Sequence, residues 1–264
     1  MASSPYPVAS FAFTGHPIIG ERRAPMVTGF SSRGPKAVVP ELLKPDVISP
    51  GLNILAAWTG SGDDIPLYKK NHNYRFLSGT SMATPHVTGI AALNKKKHPS
   101  WTPPMIRSTV MTTARTLDNM EWDILTDSFR VATPFAAGAG HVHPQLTMDP
   151  GMDGTPDGPA DLNYPFFIVI FNGHTDVLTL TQTVIKVSQN AETYNVTVVA
   201  PELVKVTVTP TTLEFKKQNE KKSYSVEFRS LARGNVTSRW DFGHISWENK
   251  DHMVRSPVAF VWKN

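Results

Sequence analysis

The pattern of apolar and polar positions divides the chain into two unlike parts. Through roughly its first 150 residues, short apolar runs are punctuated by Gly and Pro, and one clear helical repeat stands out, which is how an α/β domain reads. In that repeat Val87, Ile90, Ala91 and Leu93 recur at helical spacing. Lys95-Lys96-Lys97 then places cations at the C-terminal end of the dipole, and His98-Pro99 stops the helix. Thr80 or Ser81 is expected to cap the N-terminus. Pro85 is expected in the first turn, where its missing N–H has no intrahelical acceptor to lose. A second helix is predicted to begin at Pro103-Pro104, with Ile106, Val110 and Met111 on its apolar face.

From Phe166 onward the period changes from helical to alternating. Runs rich in β-branched and aromatic residues, namely 166–171, 179–187, 194–199, 204–208, 224–228 and 257–262, are separated by turn-formers at short intervals. Tyr194, Val196 and Val198 put every second residue on an apolar face, so the part is expected to be an antiparallel β-sandwich of about 100 residues. Between the parts, residues 149–159 are dense in Gly, Pro and Asp. That composition is expected to form no packed element and marks the domain boundary.

Composition supports two cores rather than one: 264 residues, of which 40% are apolar and 18% charged. No stretch approaches the roughly 20 apolar residues of a membrane span, and the first ten residues lack the basic start and apolar run of a signal peptide. The net charge is +4, but the basic residues are scattered in short groups such as Lys216-Lys217 and Lys221-Lys222. They read as a solvated surface and not as a nucleic-acid face. The absence of Cys excludes disulfides and thiolate metal sites, and no carboxylate cluster has ligand spacing, so neither a metal nor a cofactor is expected. Asn195-Val196-Thr197 and Asn235-Val236-Thr237 are acceptor sites for glycans on a secreted protein.

The chemistry is concentrated at the start of the first helix. A serine becomes nucleophilic when a base takes its proton and nearby donors stabilise the oxyanion formed at the attacked carbonyl. Ser81 stands where unpaired N–H groups and the positive end of the dipole converge, and Gly79 leaves room for a substrate backbone. On these local features alone a helix cap is the simpler reading.

A longer match favours the nucleophile. Gly79-Thr80-Ser81-Met82-Ala83-Thr84-Pro85-His86-Val87-Thr88-Gly89 resembles the G-T-S-M-A-x-P-H-V-x-G signature around the catalytic serine of the subtilisin-like proteases. Phe30-Ser31-Ser32-Arg33-Gly34-Pro35, Leu43-Lys44-Pro45-Asp46-Val47 and Pro50-Gly51-Leu52-Asn53-Ile54-Leu55-Ala56-Ala57-Trp58 are similar to segments of the plant branch. Gly138-Ala139-Gly140-His141-Val142 and Asp161-Leu162-Asn163-Tyr164-Pro165 continue in that branch's order.

The resemblance implies an α/β partial subtilisin-like domain over residues 1–150, a shortened linker over 151–160, and an all-β fibronectin type-III-like sandwich over 161–264. It further implies an extracellular serine endopeptidase that acts on protein or peptide substrates through an acyl-enzyme on Ser81, with Gly79 lining the substrate site. The family's catalytic Asp and His and its oxyanion-hole Asn precede the serine in D-[ST]-G, H-G-T-H and A-G-N type segments, and none of these occurs here. His16-Pro17 has the wrong context. His86, five residues after Ser81, lies roughly 140° around the helix and faces away. Asp46 reads as a loop residue, His141 as structural, and His143 carries no assigned role. Ser49 replaces the usual Ala of A-P-G, and the connection before Asp161 is shorter than the family's. The expectation is therefore a truncated chain nearly inert by itself, the alternative being a non-catalytic interaction module or a pseudogene remnant.

Overall fold

The computed structural model describes residues 23–35, 38–39, 42–58, 74–154, 164–172, 176–232 and 240–263. In chain order the first unit contains β1 (Met26–Val27), β2 (Ile54–Ala57), β3 (Tyr74–Leu77), α1 (Thr80–Lys97), α2 (Pro103–Thr112) and β4 (Leu125–Thr126), then the single turns α3 (Pro134–Ala137) and α4 (Pro144–Thr147). β1 and β4 pair in parallel, and β2 and β3 form an antiparallel pair. α2 begins as expected at Pro103, with the Thr102 hydroxyl accepting from the Met105 N–H at 3.5 Å. Its Val110 and Met111 are buried, and the Thr112 and Thr113 hydroxyls satisfy themselves on carbonyls one turn back.

α1 departs from expectation in three ways. The N-cap is Gly79, and no side chain caps the end; Thr80 and Ser81 are the first two helical residues. Pro85 therefore falls in the second turn and leaves the Ser81 carbonyl without its intrahelical donor. Leu93 is exposed, while Asn94 is fully buried and accepts from the Thr147 hydroxyl at 3.2 Å. The buried stripe thus runs through Ile90 and Asn94, because α2 and α4 cover that side: Ile90 packs with Val110, and Asn94 meets Thr147.

The second unit contains β5 (Met152–Gly154), β6 (Phe167–Asn172), β7 (Val177–Lys186), β8 (Glu192–Val199), β9 (Val204–Thr209), β10 (Thr212–Phe215), β11 (Lys221–Ser230), β12 (Trp240–Glu248) and β13 (Met253–Lys263). They form a five-stranded sheet, β10-β8-β12-β13-β6, packed on a four-stranded one, β5-β7-β11-β9. Between the sheets lie Phe171, Tyr194, Phe215, Phe228, Trp247 and Phe260, all fully buried, and each contributes about 1.5–3 kcal/mol of transfer free energy. The sandwich is not wholly antiparallel, since β13 and β6 pair in parallel. β10 and β12 escape the sequence pattern because one is four residues long and the other switches its apolar face at Gly243-His244.

The connection also departs from expectation. Met152 and Asp153 are fully buried, and β5 adds an edge strand to β7. Tertiary pairing overrides the local preference of a Gly- and Pro-rich segment there. Gly151, at φ 75°, fixes the entry: a Cβ at this position would lie 2.2 Å from the Tyr194 hydroxyl oxygen. Around it the buried Lys186 ammonium pairs with Glu192 at 2.8 Å, and the Ser188 hydroxyl donates to the same carboxylate at 2.9 Å. Burial pushes the Glu192 carboxyl up, but these donors together with Tyr194 outweigh it and hold the group below its ordinary range.

The two units share a core. Phe135 of α3 meets the Trp240 ring edge-on at 4.7 Å and the Phe242 ring at 5.2 Å, while Leu43, Met111, Ala114, Phe166 and Ala259 fill the space around them. At the rim, Tyr164 donates to Asp46 at 2.9 Å and lies beneath Lys44 and Arg107.

Candidate active site

Three elements place Ser81. The antiparallel pair of β2 and β3 delivers the chain to Gly79, the Ser78 hydroxyl accepting from the Asn53 N–H at 2.9 Å. Gly79 takes φ 154° and ψ 166° and donates its N–H to Gly51 at 2.8 Å. Its Cβ would meet nothing nearer than 3.7 Å, so the glycine is needed for its backbone conformation and not for space. Helical bonding starts with Met82 and Ala83 donating to the Gly79 carbonyl. Among the described residues, the N–H groups of Thr80 and Ser81 therefore have no backbone acceptor, and they sit at the positive end of an 18-residue helix.

A further residue steadies this turn. The Ser49 hydroxyl donates to the Ala83 carbonyl at 2.8 Å and ties the loop before Gly51 to the first turn of α1. The sequence signalled the position only as a departure from the family's Ala. Ser49→Ala is expected to destabilise the chain by about 1 kcal/mol, measured by urea unfolding.

Ser81 itself is exposed. Each described histidine has another role. His86 Nδ1 is bonded to the Met82 carbonyl at 2.9 Å, His98 Nε2 to the Met148 carbonyl at 2.8 Å, and His141 Nδ1 to the Val142 carbonyl at 3.0 Å. His143 caps α4 by accepting from the Leu146 N–H, a role the sequence did not assign. His244 lies in β12, where burial and the nearby Arg255 push its pKa down to about 4, and His252 faces Asp149 and Glu192 at 3.5 Å each. Burial also holds His141 below its ordinary pKa, with His143 and His86 adding to the effect, so the ring is neutral at pH 7.

Asp46 is engaged with Lys44 at 2.7 Å and with Tyr164, which makes it a tie between the units. The structure thus brings Ser81 and Gly79 together and puts none of the described His or Asp candidates beside them as base and orienter. Asn195 is exposed on β8, its amide oxygen accepting from Thr212 at 3.0 Å, whereas Asn235 and His16 lie outside the described residues. Among the described residues no group of three or more His, Cys, Asp or Glu is placed to hold a metal ion, and no helix is long and apolar enough to cross a membrane.

The fold and site define a two-unit protein, an α/β unit bearing an exposed serine at a helix N-terminus and docked on a β-sandwich. Residues 18–140 match the model of the subtilase family, and residues 161–260 match that of the fibronectin type-III domain. The chain is 39% identical to the subtilisin-like protease SBT1.3 of Arabidopsis thaliana over 92% of its own length and 36% of the relative's. It is likewise 39% identical to SBT1.7 of the same plant, over 99% of its own length and 39% of the relative's. Subtilisin-like protease SBT3 of Solanum lycopersicum is 36% identical, with 96% of this chain and 38% of the relative covered. The chain therefore spans well under half the length of these relatives. The alignment to SBT1.7 runs over 302 residues, more than the 264 of this chain, so that relative carries residues within the matched stretch that have no counterpart here.

Proposed function

We propose that Ser81 is the nucleophile of a serine endopeptidase, and that this chain supplies the serine and one oxyanion donor while the base and its orienting acid come from outside its described residues. The observation that carries the reading is the exposed Ser81 hydroxyl at the start of α1, with its own N–H unpaired by helix geometry. In the reaction Ser81 Oγ attacks a peptide carbonyl carbon and its proton passes to an imidazole. The carbonyl oxygen becomes an oxyanion within reach of the Ser81 N–H. Collapse returns the proton to the leaving amine and leaves an acyl ester on Oγ, which water then hydrolyses.

Similarity to a protease family supports protein or peptide substrates, and the likeness to Arabidopsis thaliana proteins supports a plant origin. The family resemblance and the exposed Asn195 of an N-x-T site support an extracellular home. The commitments of the six described histidines support inertness of the isolated chain.

A fluorophosphonate probe tests the reading. The isolated 264-residue chain is expected to remain unlabelled. Rapid labelling at Ser81, abolished by Ser81→Ala, would show instead that the chain assembles a working base by itself. Labelling at another serine would overturn the assignment of Ser81.

A further inference from the structure

Where the two units meet, apolar packing gives way to charge along β13. Its even-numbered Val254, Val258 and Phe260 face the sandwich core. The odd-numbered positions face the α/β unit: Ala259 joins Leu43, Met111 and Phe135 in the shared core, and Arg255, four residues earlier, lies on the same face. Opposite Arg255 on β12 stands the buried Ser246, which has no charge to offer it. Burial pushes the Arg255 pKa down to about 10 against the field of Asp123, so the side chain is still charged at pH 7. Yet among the described residues its guanidinium donates no hydrogen bond and lies within ion-pair distance of no carboxylate. A guanidinium cannot shed its proton to escape, and a partly buried one with five donors and no acceptor is costly to keep.

That side chain lines a cavity of about 400 Å³ between the units, within the range of small-molecule sites. One wall is the end of α2 and the segment after it, through Thr113 and Arg115, and the other is formed by β13 and the turn before it. The turn is held in shape, since the Asn249 side-chain oxygen accepts from the Asp251 and His252 N–H groups at 2.8 and 2.7 Å. It adds the exposed Lys250 to the lining. Carboxylates are present too: Asp149 and Asp251 are exposed, Asp149 facing His252 at 3.5 Å, and Glu248 ends β12.

We propose that this cavity binds a small polar molecule bearing one oxyanionic group, a carboxylate or a phosphate, held in the fork of Arg255 with Arg115 and Lys250 beside it. A planar guanidinium matches either group through two parallel hydrogen bonds. Glu248 and Asp251 then accept from hydroxyl or ammonium donors elsewhere on the ligand. None of this requires Ser81 to be a nucleophile.

The test titrates the full 264-residue chain with inorganic phosphate and, separately, with acetate, at pH 7 and constant ionic strength set by chloride. The Arg255 Nε–H resonance in a nitrogen–proton correlation spectrum, assigned by its loss in Arg255→Met, reads occupancy. It is expected to shift and to saturate at roughly millimolar concentrations of at least one anion, with a parallel rise in the thermal midpoint. Saturation by phosphate alone assigns a phosphate ester as the ligand class, by acetate alone a carboxylate, and by both a site open to either. In Arg255→Met the anion-dependent rise is expected to disappear, while the anion-free variant melts no lower than wild type because an uncompensated charge has gone. Lys250→Gln, an exposed change on the turn, is expected to fold as before and to weaken binding about 3- to 10-fold. A resonance unmoved by both anions, or unchanged affinity in either variant, would overturn the site. So would an anion-free Arg255→Met that melts well below wild type, since the guanidinium would then already be satisfied.

Discussion

Asp153→Asn is expected to stabilise the chain at pH 8 by several kcal/mol, on the order of 4, and to have little effect at pH 4. Asp153 is fully buried in β5 against α2, where the Gly154 N–H donates to one carboxyl oxygen at 2.8 Å and the Ser108 and Thr109 hydroxyls lie close by. Among the described residues its other oxygen has no partner at full hydrogen-bond geometry, and the Thr109 hydroxyl is only a loose neighbour. Burial raises the group from 3.8 to about 7, outweighing the hydrogen bonds that favour its charge. The folded carboxyl therefore holds a proton that the unfolded chain has already shed. The resulting stability is fully present below pH 4 and is lost as the pH rises through about 7, at about 1.4 kcal/mol per pH unit. Asn keeps the neutral shape and adds an N–H that the Thr109 oxygen can accept. Urea unfolding of both proteins from pH 4 to pH 8 checks this: parallel stability curves would show that Asp153 is solvated or paired in the folded state.

The second large effect concerns the contact between the units. Phe135→Ala is expected to cost about 3–5 kcal/mol, the range for truncating a buried aromatic ring. It removes two edge-to-face contacts, with Trp240 and Phe242, and opens a cavity among Leu43, Met111 and Ala114. The ring belongs to α3 on one unit and packs on β12 of the other, so the loss should fall on the coupling between them. Calorimetry is expected to show the α/β unit melting ahead of the sandwich in the variant, because the sandwich has its own two-sheet core. A single transition with an unchanged midpoint would mean that the units are held together elsewhere.

The apolar pattern located α1 and α2 and most of the sandwich strands, because a repeat of 3.6 or 2 survives in the sequence wherever one face is buried. It missed β12, in which the alternation changes phase at Gly243-His244: Trp240 and Phe242 are apolar on one face and Ile245 and Trp247 on the other. It missed β5 for a different reason. Met152-Asp153-Gly154 has no strand preference of its own and becomes a strand only because β7 offers an edge. At the site, the signature around Ser81 was legible because its motif residues are contiguous in the chain, from Gly79 to Gly89. The role of Ser49 was not, since one hydroxyl on one carbonyl 34 residues away leaves no local pattern. Nor does the sequence show that His143 caps α4 or that His98 stacks on Trp101 with ring centroids 3.9 Å apart.

What the sequence determined by itself is the pair of architectures, the family motifs, and Ser81 as the residue proposed to be the nucleophile. These depend on composition and spacing, which a linear chain carries in full. The tertiary structure decided what surrounds that serine. It committed His86, His98, His141 and His143 to nearby carbonyls and a helix cap, and Asp46 to Lys44 and Tyr164. It also set the Arg255 guanidinium beside a cavity of about 400 Å³ with no hydrogen-bond acceptor among the described residues. Such facts depend on which distant segments meet, and burial and hydrogen-bond partners are set only when the chain has folded.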